Sequence, residues 1–578
     1  MKEEFIGYPS IDKPWLKYYS DEAVNATIPK CTIYEYLYEN NKNYLDDIVI
    51  NYVGRKITYR EMFENIDRLA ITFSEEGIVE GDIVTIIAPS IPEVIYTFYA
   101  LNKIGAVSNF VDPRKSAEEV DLLLANMPTK ACIVLDEMWE KFYEVLQSHA
   151  KLLVSVTISD SLAGLPKLLT KLKGKKYKNR QIKELKQLEL KHKDSSKDVR
   201  VSYKSNMLAL IEYTGGTTGT SKGVMLSNEN VNAVIEQTTY SGVPIKRGET
   251  WLSVAFPFTA YSLICSQHMP FSLGLTTYLC FDLEIKKVEK QLLKNKINHM
   301  ANTPLMWEQL INSKRVENMD MSFIIAPTVG ADSLDISKEK RINEFLKKHN
   351  CAFKICKGYG MTEVSSGICI TPNNEVNKLG SVGIPFNLTT VAVFDLETEK
   401  ELTYGEQGEI CIKGPSVMLG YYKNEKENRE ILRKHADGQI WLHSGDLGHM
   451  DADGFVFIDG RIKRMIIDSM GFKIFAPVVE NVIYDVPEVE KCCVVGAKDT
   501  ANNVGQIPIA FIIPKKDTDK NILRKAIMKV CAEQLPTYSY PSKIVFKENF
   551  PYTSAAKVDY RKLEIEANRE QQKELVNY

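Results

Sequence analysis

The run YTGGTTGTSKG, Tyr213 to Gly223, sets the reading of this chain: four glycines, four threonines, one serine and one lysine in eleven residues, a composition that buries almost nothing. Glycine lets backbone N–H groups approach a ligand closely, hydroxyls donate, and lysine adds a cation, so the run suits a polyanion such as a nucleotide triphosphate. It is not the Walker pattern, in which glycine directly precedes Lys-Ser/Thr. Here Ser221-Lys222-Gly223 reverses that order, which disfavours an ordinary P-loop NTPase. A plain linker has a similar composition, but the flanks NMLALIEY and GVMLSNENVNAVIEQ read as a buried strand and the start of a helix.

Outward from this run the chain alternates strand and helix. ITYREMFENIDRLAITFSEEG places Met62, Phe63, Ile66, Leu69, Ala70 and Phe73 at helical spacing, and DIVTIIAP follows as a buried strand. IPEVIYTFYALNKIG reads as a second helix leading into AVSNFVDP, and the alternation continues through KACIVLD, INHMANTP and MSFIIAPTVG. Parallel α/β layers follow for the first 390 or so residues. Beyond them TTVAVFD, GEICIKG, GFVFIDG and CCVVGAK are short β runs punctuated by turn residues, predicting a β-rich subdomain and a small C-terminal α+β domain.

Composition narrows the function classes. With 578 residues, 44% apolar residues and a net charge of −2, the chain can build large cores, and neither disorder nor a global nucleic-acid field is expected. The 11 cysteines are scattered, with no paired CxxC pattern, which fits free thiols in a reducing compartment and so a cytoplasmic location. The start, MKEEFIGYPSIDKPW, is acidic and interrupted by proline, unlike a secretory leader. The most apolar run, Ile264 to Phe281, contains Gln267, His268 and Pro270, so no membrane span is expected. The basic stretch 166–193, with Leu165, Leu168, Leu169 and Leu172 at helical spacing, reads first as a solvated insertion and second as a peripheral contact to an anionic membrane.

Taken together the motifs resemble the acyl-adenylate-forming superfamily, which includes acyl-CoA synthetases, the adenylation domains of peptide synthetases and beetle luciferases. The resemblance runs from ITYREM near Ile57 to KVDYRKL near Lys557. Between them stand YTGGTTGTSKG, GYGMTE (358–363), GSVGIPF (380–386), GEICIKGPSVMLGYY (408–422), WLHSGDLG (441–448), DGRIKRMI (459–466) and PYTSAAKVDYRKL (551–563), in the family's order. It implies an enzyme that activates a carboxylic acid with ATP and Mg²⁺ as an acyl-adenylate and passes the acyl group to coenzyme A. Such chemistry needs charge neutralisation more than a nucleophilic side chain.

Residue by residue, the resemblance implies that Thr214, Gly215, Gly216, Thr217, Thr218 and Lys222 cradle the β- and γ-phosphates. Tyr359 would stack on adenine, with Gly360 and Met361 beside it, Thr362 would meet the α-phosphate, and Glu363 would hold Mg²⁺ as a hard oxygen ligand. VGADSL (329–334) superficially resembles a carrier-protein serine motif, but its position after FIIAPT matches the family's adenine loop, giving Gly330, Ala331 and Asp332 to the base. Asp446 would accept the ribose hydroxyls with Arg461 donating to the same sugar. Lys463 would be the hinge between residues 1–461 and a mobile lid, residues 462–578. Gly471 would line the pantetheine tunnel, and SMGFKIFAPVVE looks closer to acyl-CoA synthetases than to carrier-loading domains. Lys557 matches the catalytic lysine.

Two departures stand out: Ala555-Ala556 precedes Lys557 where the family commonly has Thr-Gly, and Thr259-Ala260 stands where many members carry an aromatic-His pair. In acetate-specific relatives a tryptophan closes the acid pocket at the position of Gly360. The glycine is therefore expected to leave room for an acid longer than acetate. Phe256, Phe258, Tyr261 and Leu263 suggest an apolar lining, fitting fatty, branched or aryl acids. The alternatives are a stand-alone adenylating enzyme that loads a separate carrier protein and a non-catalytic nucleotide or acyl sensor.

Overall fold

The computed structural model describes residues 6–162, 180–192, 197–214, 221–254, 257–280, 285–500, 502, 504–552 and 558–576. Among them the chain folds as a mixed α/β protein with a large N-terminal domain and a smaller C-terminal one.

Two long sheets form the N-terminal layers. In the eight-stranded sheet, Ile83–Ile87, Val107–Phe110, Thr129–Leu135 and Leu152–Val156 run parallel. These strands are nearly continuous apolar runs because helices cover both faces, as a parallel sheet requires. The covering helices show why they form. Tyr59–Glu75 starts at Thr58, whose side chain accepts from the Glu61 N–H, and buries Met62, Phe63, Ile66, Leu69, Ala70 and Phe73 on one stripe. Pro92–Lys103 opens with proline in its first turn and is buried along its whole length between sheet and neighbouring helices. The alternation read from the sequence between 57 and 136 is therefore the observed one.

The segment after the Gly/Thr run differs from expectation. The start of a helix was expected from Gly223 onward, yet Lys222–Ser227 is a strand and the helix is Asn228–Thr239. Val224 and Leu226 point into the core while the strand pairs antiparallel with Leu208–Thr214, and Ser227 ends it by accepting from the Asn230 N–H in a capping box. The register sets Thr214 opposite Lys222 and Tyr213 opposite Gly223. Residues 215–220 of the Gly/Thr run, between these two paired strands in sequence, lie outside the described residues.

The nine-stranded sheet holds Thr250–Ser253, His299–Asn302, Thr328–Val329 and Cys356–Tyr359 as parallel neighbours. Between Thr250–Ser253 and the next strand the chain passes through a π-helix, Tyr261–His268, whose hydrogen bonds span five residues and whose bore is wider than that of an α-helix. The expected β-rich subdomain is a five-stranded sheet that contains Thr390–Phe394, Gly408–Lys413, Ile440–Met450 and Val456–Arg461. The C-terminal domain packs helices Ala476–Tyr484, Lys520–Gln534 and Tyr560–Val576 on the sheet of Val489–Lys498, Gln506–Pro514 and Lys543–Phe546.

Of the basic stretch, Lys183–Glu184 is a short edge strand and Leu185–Lys191 a helix. Lys183, Lys191 and His192 converge on Glu76, and their hydrogen bonds overcome its desolvation and hold its carboxyl down at about 2. The leucines from 165 to 172 lie outside the described residues. No helix among the described residues is long and apolar enough to cross a membrane.

Candidate active site

Neighbouring strands of the β-rich sheet bring Asp446 and Arg461 together. They are paired across the antiparallel register of Ile440–Met450 and Val456–Arg461, and the Arg461 guanidinium meets the Asp446 carboxylate at 2.8 Å. Gly445, at φ +70, turns the backbone just before Asp446, a conformation that glycine adopts at little cost. The turn is held by side chains: Glu409 accepts from the Gly445 N–H at 2.9 Å, and Ser444 Oγ donates to the Ile410 carbonyl at 2.6 Å while accepting from the Asp446 N–H at 3.0 Å. Tyr359, at the end of its parallel strand, donates its hydroxyl to the other Asp446 oxygen at 2.6 Å. Burial, then the Asp446 charge, pushes the Tyr359 phenol well above its ordinary range, so it stays a donor.

Glu363 lies in the turn Thr362–Val364 immediately after Met361 and is 6% exposed. It accepts from the Tyr421 hydroxyl at 2.8 Å. Burial raises its pKa, opposed by the Tyr421 hydrogen bond and by the positive charges of Arg461 and Lys222. Tyr421 in turn lies beneath the Lys222 ammonium, 4.9 Å from ring centre to nitrogen, because Gly420–Tyr421 pairs with the strand that Lys222 opens. Lys222 is also ion-paired with Glu427 of the helix Glu425–Ile431. That hydrogen bond holds the Glu427 carboxyl below its usual range, with Lys463 adding a second positive neighbour. Ser221 accepts from Lys115 at 3.2 Å, which brings another cation to the residue before Lys222.

One set of contacts therefore joins Lys222, Tyr421 and Glu363 and a second joins Arg461, Asp446 and Tyr359, with the Arg461 charge felt at Glu363. Gly330 borders the second: a side chain there would meet the Gly358 carbonyl at 3.4 Å and the Tyr261 ring at 3.5 Å. Ala331 adopts φ +67, and the Asp332 carboxylate accepts from the Ser333 N–H at 2.9 Å. Thr214 ends its strand opposite Lys222. Gly471 stands apart, at φ +86 in the exposed turn between Met465–Ile467 and Lys473–Phe475, where neighbouring Phe472 stacks on Tyr538 at 4.5 Å. Gly215, Gly216, Thr217, Thr218 and Lys557 lie outside the described residues, although the backbone on either side of 553–557 is joined by a bridge between Tyr552 and Val558.

The structure corrects the reading of Gly360. A side chain there would start 1.6 Å from the Ser366 carbonyl oxygen and 2.7 Å from Gly367 Cα, so the space is filled by backbone. The glycine is needed for this close approach, and it opens no acid pocket. The following turn is itself unusual, with Ser365 at φ +59 and Ser366 at φ +133, the latter in a region that L residues rarely enter.

Beside the π-helix lies a narrow void of about 10 Å³, lined by Phe98, Phe110, Pro257, Leu263, Phe271 and the buried polar pair Gln267 and His268. Gln267 donates to Ser90 at 2.6 Å, and His268 Nδ1 pairs with the Tyr99 hydroxyl at 2.9 Å. Burial pulls His268 down to about 3, so it is neutral at physiological pH. Of the expected lining, Leu263 reaches this cavity, Phe258 carries the Arg114 guanidinium over its ring at 5.0 Å, and Phe256 lies outside the described residues. Sequence reasoning passed over Tyr421, Glu427, Ser444 and Glu409. Tyr421 stands in the quoted GEICIKGPSVMLGYY, but its role depends on a partner 58 positions away.

Residues 37–422 match the family model of AMP-binding enzymes, and residues 478–557 match that of the AMP-binding enzyme C-terminal domain. The chain belongs to the AMP-binding enzyme family. It is 26% identical over 563 residues to a long-chain-fatty-acid–CoA ligase of Bacillus subtilis (strain 168), covering 95% of this chain and 97% of the relative. It is 28% identical over 536 residues to a probable 4-coumarate–CoA ligase 1 of Dictyostelium discoideum, covering 89% and 92%. Among solved structures, the anthranilate CoA ligase AuaEII in complex with anthranoyl-AMP shares the fold at a TM-score of 0.81 and 18% identity, covering 94% of this chain and 99% of its own. The o-succinylbenzoate CoA synthetase MenE of Bacillus subtilis, with ATP and magnesium, does so at 0.74 and 21%, covering 91% and 98%.

Proposed function

We propose that this chain is an AMP-forming acid–CoA ligase whose acid is longer than acetate. The observation that carries the reading is the pair of contact sets Lys222–Tyr421–Glu363 and Arg461–Asp446–Tyr359, which offer a cation, a buried carboxylate and a strand-held Asp–Arg pair. In the first half-reaction an oxygen of the acid attacks the α-phosphorus of ATP and pyrophosphate leaves. In the second the thiol of CoA attacks the acyl carbonyl and AMP leaves.

Each role follows from what the side chain can offer. Lys222, with Thr214, Thr217, Thr218 and the backbone of Gly215 and Gly216, binds the β- and γ-phosphates. Thr362 meets the α-phosphate. Tyr421 donates to one oxygen of the buried Glu363, and Glu363 would hold Mg²⁺, a hard cation that would offset phosphate charge. Asp446 and Arg461 hold the ribose, and Tyr359, Gly330, Ala331 and Asp332 the base. Lys557 bridges the substrate carboxylate and the α-phosphate. In support, Tyr560, three residues further on, carries the Arg464 guanidinium over its ring at 5.4 Å, in the segment that follows Arg461.

Residues 1–461 form the adenylating domain and 462–578 the lid that turns about Lys463. The acid is assigned as fatty, branched or aryl on the names of the relatives, a long-chain-fatty-acid–CoA ligase and a probable 4-coumarate–CoA ligase, and on the apolar residues packed about Leu263. A panel of acids from acetate to long-chain and aryl acids, with ATP, Mg²⁺ and CoA, tests the reading by scoring pyrophosphate, AMP and thiol consumption separately. Acid-dependent release of both nucleotide products with loss of thiol is expected. Pyrophosphate without thiol loss would assign the acceptor to a carrier protein, and release of neither would sink the reading.

A further inference from the structure

The face of the β-rich sheet behind the ribose pair carries a second cluster with a different chemistry. Cys411 and His443 are paired across Gly408–Lys413 and Ile440–Met450, and a register shift between Glu409 and Cys411 swings Glu409 toward the same point. Their ligand atoms lie within 4.8 Å of one another, with His443 Nδ1 at 2.8 Å from Glu409 and 3.5 Å from the Cys411 sulfur. All three are buried, at 9%, 0% and 5% exposure for Glu409, Cys411 and His443.

We propose that Glu409, Cys411 and His443 form a binding site for a borderline-soft divalent cation of the Zn²⁺ type. One thiolate, one imidazole and one carboxylate are the donors such an ion takes, and ideal tetrahedral contacts of about 2.0–2.3 Å need donor separations near 3.5 Å. The sulfur–nitrogen edge already has that length, and the carboxylate has to withdraw by roughly half an ångström.

The surroundings supply what a metal-ligating histidine needs. His443 Nε2 lies 2.8 Å from His435 Nε2, so when Nδ1 gives its electron pair to the ion, the proton moves to Nε2 and is accepted by His435. The Cys411 proton leaves to solvent. His435 is itself packed edge-on against Phe394 at 4.4 Å and is only partly buried, which makes it the way in. The other Glu409 oxygen accepts from Gly445 N–H, so the site is one residue removed from the turn that aims Asp446.

Titration of the stripped full-length protein with Co²⁺ and Zn²⁺, without nucleotide, tests the assignment. One equivalent of Co²⁺ should bind with a thiolate-to-cobalt absorption band. Cys411→Ser should abolish that band and weaken Zn²⁺ at least tenfold. His435→Gln, at a partly exposed position, should weaken Zn²⁺ by about 10–100-fold and keep the band, the usual cost of losing an outer partner. An absence of binding to the parent, or equal affinity in parent and both variants, would overturn the site. If Cys411→Ser does not fold, the His435 variant and the parent band decide the matter alone.

Discussion

The two ends of the proposed nucleotide site, ribose and phosphate, are built differently. At the ribose end Asp446 and Arg461 are fixed by strand register, the backbone turn is pinned by Glu409 and Ser444, and Tyr359 fills the remaining carboxylate oxygen. At the phosphate end Lys222 opens a strand and its charge is taken by Glu427. The first arrangement meets its ligand already oriented, so little ordering is left to be done on binding. The second must exchange one anion for another, trading a carboxylate for a phosphate. A pre-set grip on the nucleoside and a switchable grip on the phosphates suit an enzyme that keeps AMP in place while pyrophosphate departs.

Four substitutions probe that contrast. The largest effect is expected from Lys557→Ala, on the phosphate side: acid-dependent pyrophosphate exchange should fall by about 10²–10³-fold with folding intact, the scale for removing one preorganised transition-state donor. Unchanged exchange would remove Lys557 from the chemistry. Asp446→Ala should lower kcat/KM for ATP by about 10–100-fold, the cost of one or two hydrogen bonds to a charged acceptor. It should do so through KM in steady-state titrations; a change confined to kcat would mean that the ribose end does more than hold.

Gly360→Ala tests packing beneath both ends. With its Cβ against the Ser366 carbonyl, it should cost about 1–3 kcal/mol, read as a lower thermal midpoint, and no acid in the panel should gain. A gain for short acids with stability unchanged would restore Gly360 as a pocket wall. The smallest effect is set for Glu427→Gln. Lys222 then loses its resident anion, and KM for ATP should drop by about 2–5-fold, the worth of a partly exposed ion pair. A raised KM would show that Glu427 positions Lys222 and does not compete for it.

Local pattern made most of the N-terminal layers legible. Helix Tyr59–Glu75 and strand Ile83–Ile87 each carry a period that one face of a core imposes, and the motifs quoted from 358 to 466 supply the pieces of the site. What stayed hidden depends on partners distant in the chain. Lys222 and Glu427 are 205 residues apart, and nothing local to "KNEKENRE" marks Glu427 among the surrounding charges. Gly360 misled for the same reason: a missing side chain looks like open space until the carbonyl six residues on is found to occupy it. The strand at Lys222–Ser227 is short enough that its apolar residues also fit a helix, and only pairing with Leu208–Thr214 decides between them.

The π-helix Tyr261–His268 gives this chain a kind of variation that no point substitution offers. Its five-residue ladder carries one residue more per turn than the α-helical alternative would hold. Deleting a single residue from it would let the segment close toward the ordinary ladder, changing which residues of 261–268 face Phe98 and Phe110 while the chain from Pro270 onward keeps its facing. The packing around Phe98 and Phe110 is therefore open to revision by insertion and deletion as well as by replacement, and length variants of 261–268 are the library in which to look for it.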